Sequence, residues 1–183
     1  MYEWFPGELV GVPRRERPDH GSAFTRFTAL PLPILCPSLS TNFHVHAKLA
    51  ERGWIASDFY DGCVMYDFST HDLRLVDLDH CRHGAFTNKM GRMFGSTRFM
   101  ALEEQALGAE INERTTVFNM GRCVTVFLRE PSLQLQSPAT SAILRVEEKA
   151  CQENPSRRYN SMADFLHAWQ KASALLTRCE PSG

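Results

Sequence analysis

The chain lacks the features that would assign it to several large classes of protein. No apolar run approaches the ~20 residues that a helix needs to span a bilayer. Neither sign of charge is in excess, since 20 Lys and Arg residues face 21 Asp and Glu residues, for a net charge of -1. A nucleic-acid or membrane partner is therefore not expected. With 183 residues, 43% of them hydrophobic and no repeats, the chain is expected to form one domain with a sizeable core.

The six cysteines are scattered and include no C-x-x-C pair. The first residues also lack the charged region and apolar core of a signal peptide. Together these absences favour reduced thiols in a cytoplasmic protein. The His and Cys residues of segment 80–83 do not have the paired spacing of zinc ligands, so no zinc site is expected there.

Local patterns predict an α+β fold that is mainly α-helical. Ser22 is a candidate N-cap for a short helix, and three prolines at 31, 33 and 37 are expected to interrupt the chain after it. Segment 80–100 has no clear periodicity and is predicted to be a long functional loop. The predicted helices cover 23–30, 39–52, 113–128, 141–152 and a last segment after Ser161, and the predicted strands of one β-hairpin cover 63–66 and 73–76.

Two aspartates flank the predicted hairpin. Asp58 lies in the loop before it, and Asp77 directly follows its second strand. Two carboxylates held by a rigid ribbon suit phosphoryl transfer, in which one orients or deprotonates the attacking hydroxyl and the other holds Mg²⁺. The alternative for both is the capping of turns, which is a common role of aspartate in loops. Asp61, beside Gly62, is interpreted as a turn residue.

Five motifs, in the same order along the chain, resemble those of the protein-kinase family. Residues 56–63 (ASDFYDGC) are similar to the catalytic loop H-R-D-x-x-x-x-N, and residues 77–79 (DLD) are similar to D-F-G. Residues 95–104 resemble an activation segment that closes on A-P-E. Residues 115–121 look like the start of the family's central helix, and 155–159 resemble the turn whose arginine pairs with the A-P-E glutamate. The resemblance implies the fold of a kinase-like C-terminal lobe.

The resemblance also implies roles for the acidic residues. Asp58 would be the catalytic aspartate, and Asp77 would be the magnesium ligand. Asp79 stands in place of glycine, and in an extended segment its side chain would point the same way as that of Asp77 and reach the same metal. Glu103 and Arg158 would form a buried structural ion pair.

The implied cofactors are ATP and Mg²⁺. The segment that begins Tyr2-Glu3-Trp4 looks like the hinge between kinase lobes, so Glu3 and Trp4 would lie against the nucleotide, together with Cys63 and Met65. Cys63 replaces the second metal-ligating asparagine, and a thiol is a poor ligand for Mg²⁺. Among further departures, Ala56 and Ser57 stand in place of His-Arg, Thr116 in place of an aspartate that anchors the catalytic loop, and Leu102 in place of proline.

On this interpretation residues 1–12 are hinge-like, 13–176 form the C-terminal lobe and 177–183 form a disordered tail. The N-terminal lobe would be absent, because the sequence contains no G-x-G-x-x-G loop and no V-A-I-K-like strand. Weak or absent transfer of phosphate to a protein hydroxyl is expected. One alternative is a non-catalytic pseudokinase-type module, or half of a split kinase, that binds a partner protein or self-associates through the exposed inter-lobe face. A small-molecule phosphotransferase is a further alternative, but such enzymes lack the activation-segment motif.

Overall fold

The computed structural model describes residues 4–128 and 137–176. Within these ranges the fold is α+β and mainly helical, with small antiparallel sheets, as the sequence predicts. The predictions for Glu3 and for the tail 177–183 lie outside the described residues. No helix within the described ranges is both long and apolar enough to cross a membrane. The α-helices are α1 (Ala23–Thr28), α2 (Leu32–Glu51), α3 (Glu113–Phe127), α4 (Pro138–Ala150) and α5 (Met162–Ser173).

In the described part of the chain, seven short strands form three antiparallel sheets. The predicted hairpin consists of β3 and β4, and β1 adds a third strand on the β3 side. A second sheet pairs β2 with β5, which joins the chain before the hairpin to the chain after it. The strands are β1 (Glu8–Leu9), β2 (Trp54–Ile55), β3 (Val64–Tyr66), β4 (Leu73–Leu75), β5 (Arg82–His83), β6 (Phe86–Thr87) and β7 (Glu110–Ile111), with β6 paired to β7.

Helix α2 begins seven residues earlier than predicted. It starts at Leu32, so it contains both Pro33 and Pro37, which were expected to interrupt the chain. Pro33 lies in the first turn, where its missing N–H removes no intrahelical bond. Pro37 removes one bond, but Leu35 and Leu39 on either side of it are fully buried. Burial of such side chains stabilises by about 1.5–3 kcal/mol each, which offsets much of the ~3 kcal/mol cost of an interior proline.

The core lies where the helices meet. Helix α5 packs against α2 and α4, and α4 packs against α3. The Phe43 ring of α2 makes edge-to-face contacts with Phe165 and Trp169 of α5, at 5.0 Å between centroids in both cases. The Trp169 indole donates a hydrogen bond to Ser40 Oγ (2.8 Å), so its polar edge is satisfied. The helices therefore pack around one core, against which the loops lie.

The predicted loop 80–100 contains two short strands, β5 and β6. These pair with β2 and β7, which are distant in sequence, so local periodicity gave no sign of them. The segment is consequently attached to the rest of the fold at several points.

Candidate functional site

Three hydrogen bonds fix the loop around Asp58 against its neighbours. The amide of Val76 donates to the carbonyl of Cys63 (2.9 Å), which extends the hairpin ladder by one residue. The hydroxyl of Ser57 donates to the carbonyl of His80 (2.8 Å). The chain segments 57–63 and 76–80 therefore run side by side. The buried hydroxyl of Thr116 on α3 donates to the carbonyl of Ala56 (3.1 Å), which holds the start of this loop against the helix.

Both aspartates that the sequence singled out have left-handed backbone conformations. The φ angle is 67° at Asp58 and 57° at Asp77. Among the described residues only one further non-glycine residue, His71 in the hairpin turn, has a positive φ. Such a conformation costs a non-glycine residue on the order of 1–3 kcal/mol and is concentrated at functional sites. The surrounding contacts therefore hold both aspartates against a local energetic preference.

Asp58 lies on a cleft of about 500 Å³. Gly95 approaches its carboxylate so closely that a Cβ at that position would lie 2.6 Å from Asp58 Oδ1. Gly95 also has a φ of 108°, a conformation that only glycine adopts readily. The cleft is lined by Leu9, Gly11, Val12, Pro13, Arg17, Asp58, Tyr60, Asp61, Gly62, Gly95 and Ser96.

The carboxylate of Asp58 has an uneven environment. Its Oδ1 is buried and has no hydrogen-bond partner among the described residues, whereas its Oδ2 lies 3.5 Å from His80 Nε2. Partial burial raises the pKa of Asp58, His80 opposes that rise, and the negative charge of Asp77 adds to it. A raised pKa makes the carboxylate a better proton acceptor. The contribution of Asp77 to this pKa means that the two carboxylates interact electrostatically.

Asp61 is a site residue that the sequence did not reveal. It was interpreted as a turn residue, but its side chain is buried and faces two arginines. Arg98 Nη2 lies 2.5 Å from its Oδ2, and Arg17 Nη2 lies 3.7 Å away. This ion pair ties the segment after Gly95 to the floor of the cleft. No local pattern could have predicted a pair 37 residues apart.

Asp77 and Asp79 are both exposed, and neither lines the cleft. The expected common orientation of their side chains assumed an extended segment, and the left-handed φ of Asp77 removes the basis of that argument. No group of three or more His, Cys, Asp or Glu side chains within the described ranges could hold a metal ion. Mg²⁺ often takes only one or two carboxylates and fills its remaining positions with water and substrate phosphates. Asp77, as a single exposed aspartate, therefore fits the role of a magnesium ligand.

Of the remaining residues assigned to the nucleotide, Cys63 lies in the turn before β3, Met65 lies on β3 and Trp4 precedes β1. Cys63 is buried, donates its thiol hydrogen to the carbonyl of Asp58 (3.7 Å) and does not line the cleft. Burial raises the pKa of its thiol to about 12, so it is neutral at physiological pH. Met65 on β3 pairs with Leu9 on β1, and Trp4 is 87% exposed. The structure thus keeps Cys63 away from any ligand in the cleft.

Glu103 and Arg158 form the ion pair expected from the sequence. Arg158 Nη1 lies 2.5 Å from Glu103 Oε1, and Nη2 lies 3.1 Å from Oε2, so the contact is bidentate. Both side chains are buried. The guanidinium also donates to the carbonyls of Arg114, Gln152 and Glu153. It therefore joins three parts of the chain.

Comparison with known proteins finds no protein-family model that matches the chain. It also finds no curated protein that matches it in sequence.

Proposed function

We propose that this chain is the large, mainly helical lobe of a phosphotransferase of the protein-kinase type, which acts on a protein hydroxyl with ATP and Mg²⁺. The observation that carries the proposal is the conformation of Asp58 and Asp77. Both have left-handed φ angles, they lie on adjacent chain segments joined by hydrogen bonds, and they interact electrostatically. Strain held at two neighbouring carboxylates is typical of a catalytic centre.

The chemistry of the two residues differs in the way that phosphoryl transfer requires. Asp58 lies on the cleft with a raised pKa and an unsatisfied Oδ1, which suits it to accept the proton of an acceptor hydroxyl. Asp77 is exposed and would hold the magnesium ion that bridges the nucleotide phosphates. Thr116 supports the proposal, because it contacts the loop backbone where the family has an aspartate.

Two features lead us to expect little activity from this chain alone. The sequence contains no glycine-rich phosphate loop and no strand lysine, which would supply much of the positioning and charge stabilisation. Cys63, in the position of the second metal ligand, is a neutral buried thiol. An assay with radiolabelled ATP and a generic protein substrate tests this expectation. We expect little or no transfer, and rapid turnover that Asp58→Asn abolishes would contradict the expected weakness while supporting the site.

A non-catalytic interaction module is the second candidate. The observation in its favour is the exposure of two apolar side chains, Trp4 at 87% and Leu9 of β1 at 45%. Exposed large apolar side chains favour binding to another protein surface. Light scattering after size-exclusion chromatography distinguishes a chain that self-associates through these side chains from a monomer. A concentration-dependent increase in mass that Trp4→Ser removes supports the module, and a monomer at all concentrations argues against self-association.

A further inference from the structure

The charge of this chain is unevenly distributed, although its total is close to zero. No Asp or Glu occurs between Asp79 and Glu103. The intervening segment contributes four Lys or Arg residues, of which Arg98 is paired with the buried Asp61. Within the described ranges no salt bridge involves the other three, and all three are exposed. These three are Arg82, Lys89 and Arg92.

Lys89 and Arg92 project from a turn that is held in place from inside. The side chain of Asn88 is buried and donates to the carbonyls of Gly91 (2.6 Å) and Glu103 (3.1 Å). It also accepts a hydrogen bond from the amide of Met90 (2.9 Å). The next anchor is the buried Met93, whose amide donates to the carbonyl of Glu104 (2.9 Å). The turn is therefore fixed at both ends.

Two large apolar side chains point outward from this fixed turn. Met90 is 51% exposed and Phe94 is 58% exposed. Met93, between them, is buried, so the turn already has one apolar anchor in the core. We call the outward side chains Lys89, Met90, Arg92 and Phe94 the 89–94 surface. Its combination of cations and apolar groups contributes little to folding and suits the binding of a ligand.

The 89–94 surface extends to the Asp58 cleft. The Arg92 guanidinium donates to the carbonyl of Gly95 (3.3 Å), and Gly95 lines the cleft. The centroids of the Phe94 and His80 rings are 5.6 Å apart, and His80 contacts the carboxylate of Asp58. A ligand that covers the surface would therefore have one end at the cleft.

We propose that the 89–94 surface docks an acidic peptide segment that carries an apolar side chain, with its hydroxyl residue at the Asp58 cleft. Carboxylates of the segment would pair with Lys89 and Arg92, and the apolar side chain would cover Met90 and Phe94. The occupant follows from charge complementarity, because the surface has no acidic residue of its own. Its description as an acceptor substrate rests on the proposed function, whereas the docking itself does not.

Fluorescence anisotropy of a labelled peptide, without nucleotide or Mg²⁺, tests the docking. The probe has a serine flanked by aspartates and one leucine, and its comparison peptide has lysines in place of the aspartates. We expect the acidic peptide to bind about tenfold or more tightly than the basic one, with an affinity that falls as salt is added. The double substitution Lys89→Glu and Arg92→Glu should weaken binding by about tenfold or more.

A matched double substitution, Arg145→Glu and Lys171→Glu, changes the charge by the same amount at exposed positions of α4 and α5. It should leave affinity within about twofold. Phe94→Ala should weaken binding without changing the salt dependence. Equal loss from both double variants, or equal affinity for the two peptides, would overturn the proposal. Tighter binding of a single-stranded oligonucleotide of equal charge would also overturn it.

Peptide binding and nucleotide binding are measured separately, so this inference and the proposed function can fail independently. If the acidic peptide binds at the 89–94 surface but Mn²⁺ with ATP does not bind at Asp58 and Asp77, the docking stands and the phosphotransferase proposal fails. If phosphate is transferred equally to acidic and basic peptides, the phosphotransferase proposal stands and the acidic specificity fails.

Discussion

Asp77 illustrates how one residue can carry both strain and a proposed role. Its φ of 57° is a conformation that asparagine tolerates better than alanine, because a short polar side chain can bond to the nearby backbone. Asp79, two residues later, has no positive φ. The two positions therefore offer a test and a control within one short segment.

We expect Asp77→Ala to be less stable than Asp77→Asn by about 1 kcal/mol, because only alanine bears the full steric cost of the left-handed conformation. At Asp79 the same two substitutions should differ by less than about 0.5 kcal/mol. Urea unfolding followed by circular dichroism measures all four variants. An equal difference at the two positions would show that the conformation of Asp77 does not cost stability.

The segments that carry the site are held together by a few buried polar contacts between elements. The bidentate Glu103–Arg158 pair joins the 3₁₀ turn Leu102–Gln105 to the 3₁₀ turn Pro155–Arg157. The guanidinium makes further bonds to three carbonyls, so removing it leaves a buried carboxylate and several acceptors unpaired.

Arg158→Ala should destabilise the protein by about 3–5 kcal/mol, the range found when one partner of a buried pair is removed. Arg158→Lys should recover only part of the loss, because lysine cannot reproduce the two-pronged contact. Lys48→Ala, which breaks an exposed pair with Glu51, is the control and should cost less than about 1 kcal/mol. Thermal unfolding that gave similar losses for Arg158→Ala and Lys48→Ala would contradict this account.

Elements specified by nearby residues could be predicted from the sequence. Ser22 and Ser161 are N-caps that each accept a bond from the amide three residues later, and the helices begin where these signals indicate. The predicted start of α2 was wrong, because tertiary packing of Leu35 and Leu39 outweighs the signal of the prolines. Burial of this kind depends on partners that a local pattern does not contain.

The same distinction applies within the candidate site. Asp58 and Asp77 could be singled out because they flank a hairpin that is visible in the sequence. The pairing of Asp61 with Arg98, and the contact of His80 with Asp58, join residues 37 and 22 positions apart. Only the packing of loops against α3 brings such residues together, and that packing has no periodic signature.

At the scale of the whole molecule, the buried side chains of Glu104 and His46 should make the free energy of unfolding depend on pH in opposite directions. Burial raises the pKa of Glu104 from 4.5 to about 7, although bonds from the Ala101 amide and the Asn119 side chain oppose the rise. The folded state thus holds this proton to higher pH than the unfolded state does. The contribution of Glu104 is fully present below pH 4.5 and is lost as the pH rises through 7.

His46 acts in the opposite direction. Burial lowers its pKa from 6.5 to about 4, so its contribution is present above pH 6.5 and is lost as the pH falls through 4. Between these limits the two effects partly cancel in the natural sequence. Glu104→Gln removes one of them and leaves the stability rising with pH because of His46.

Urea unfolding of the natural protein and of Glu104→Gln at a series of pH values measures this difference. Relative to the natural protein, the variant should gain on the order of 3 kcal/mol in unfolding free energy between pH 4.5 and pH 7. Parallel pH profiles for the two proteins would show that Glu104 has the same pKa in the folded and unfolded states.

The central claim is that Asp58 and Asp77 form one metal–nucleotide site, and nuclear magnetic resonance with Mn²⁺ in place of Mg²⁺ tests it most directly. In the presence of ATP, the paramagnetic ion should selectively broaden the amide signals of residues 58–61 and 76–79. Asp77→Asn should abolish this broadening, and Asp72→Asn, at the exposed turn of the hairpin, should leave it unchanged. Broadening centred elsewhere, or unaffected by Asp77→Asn, would contradict the account.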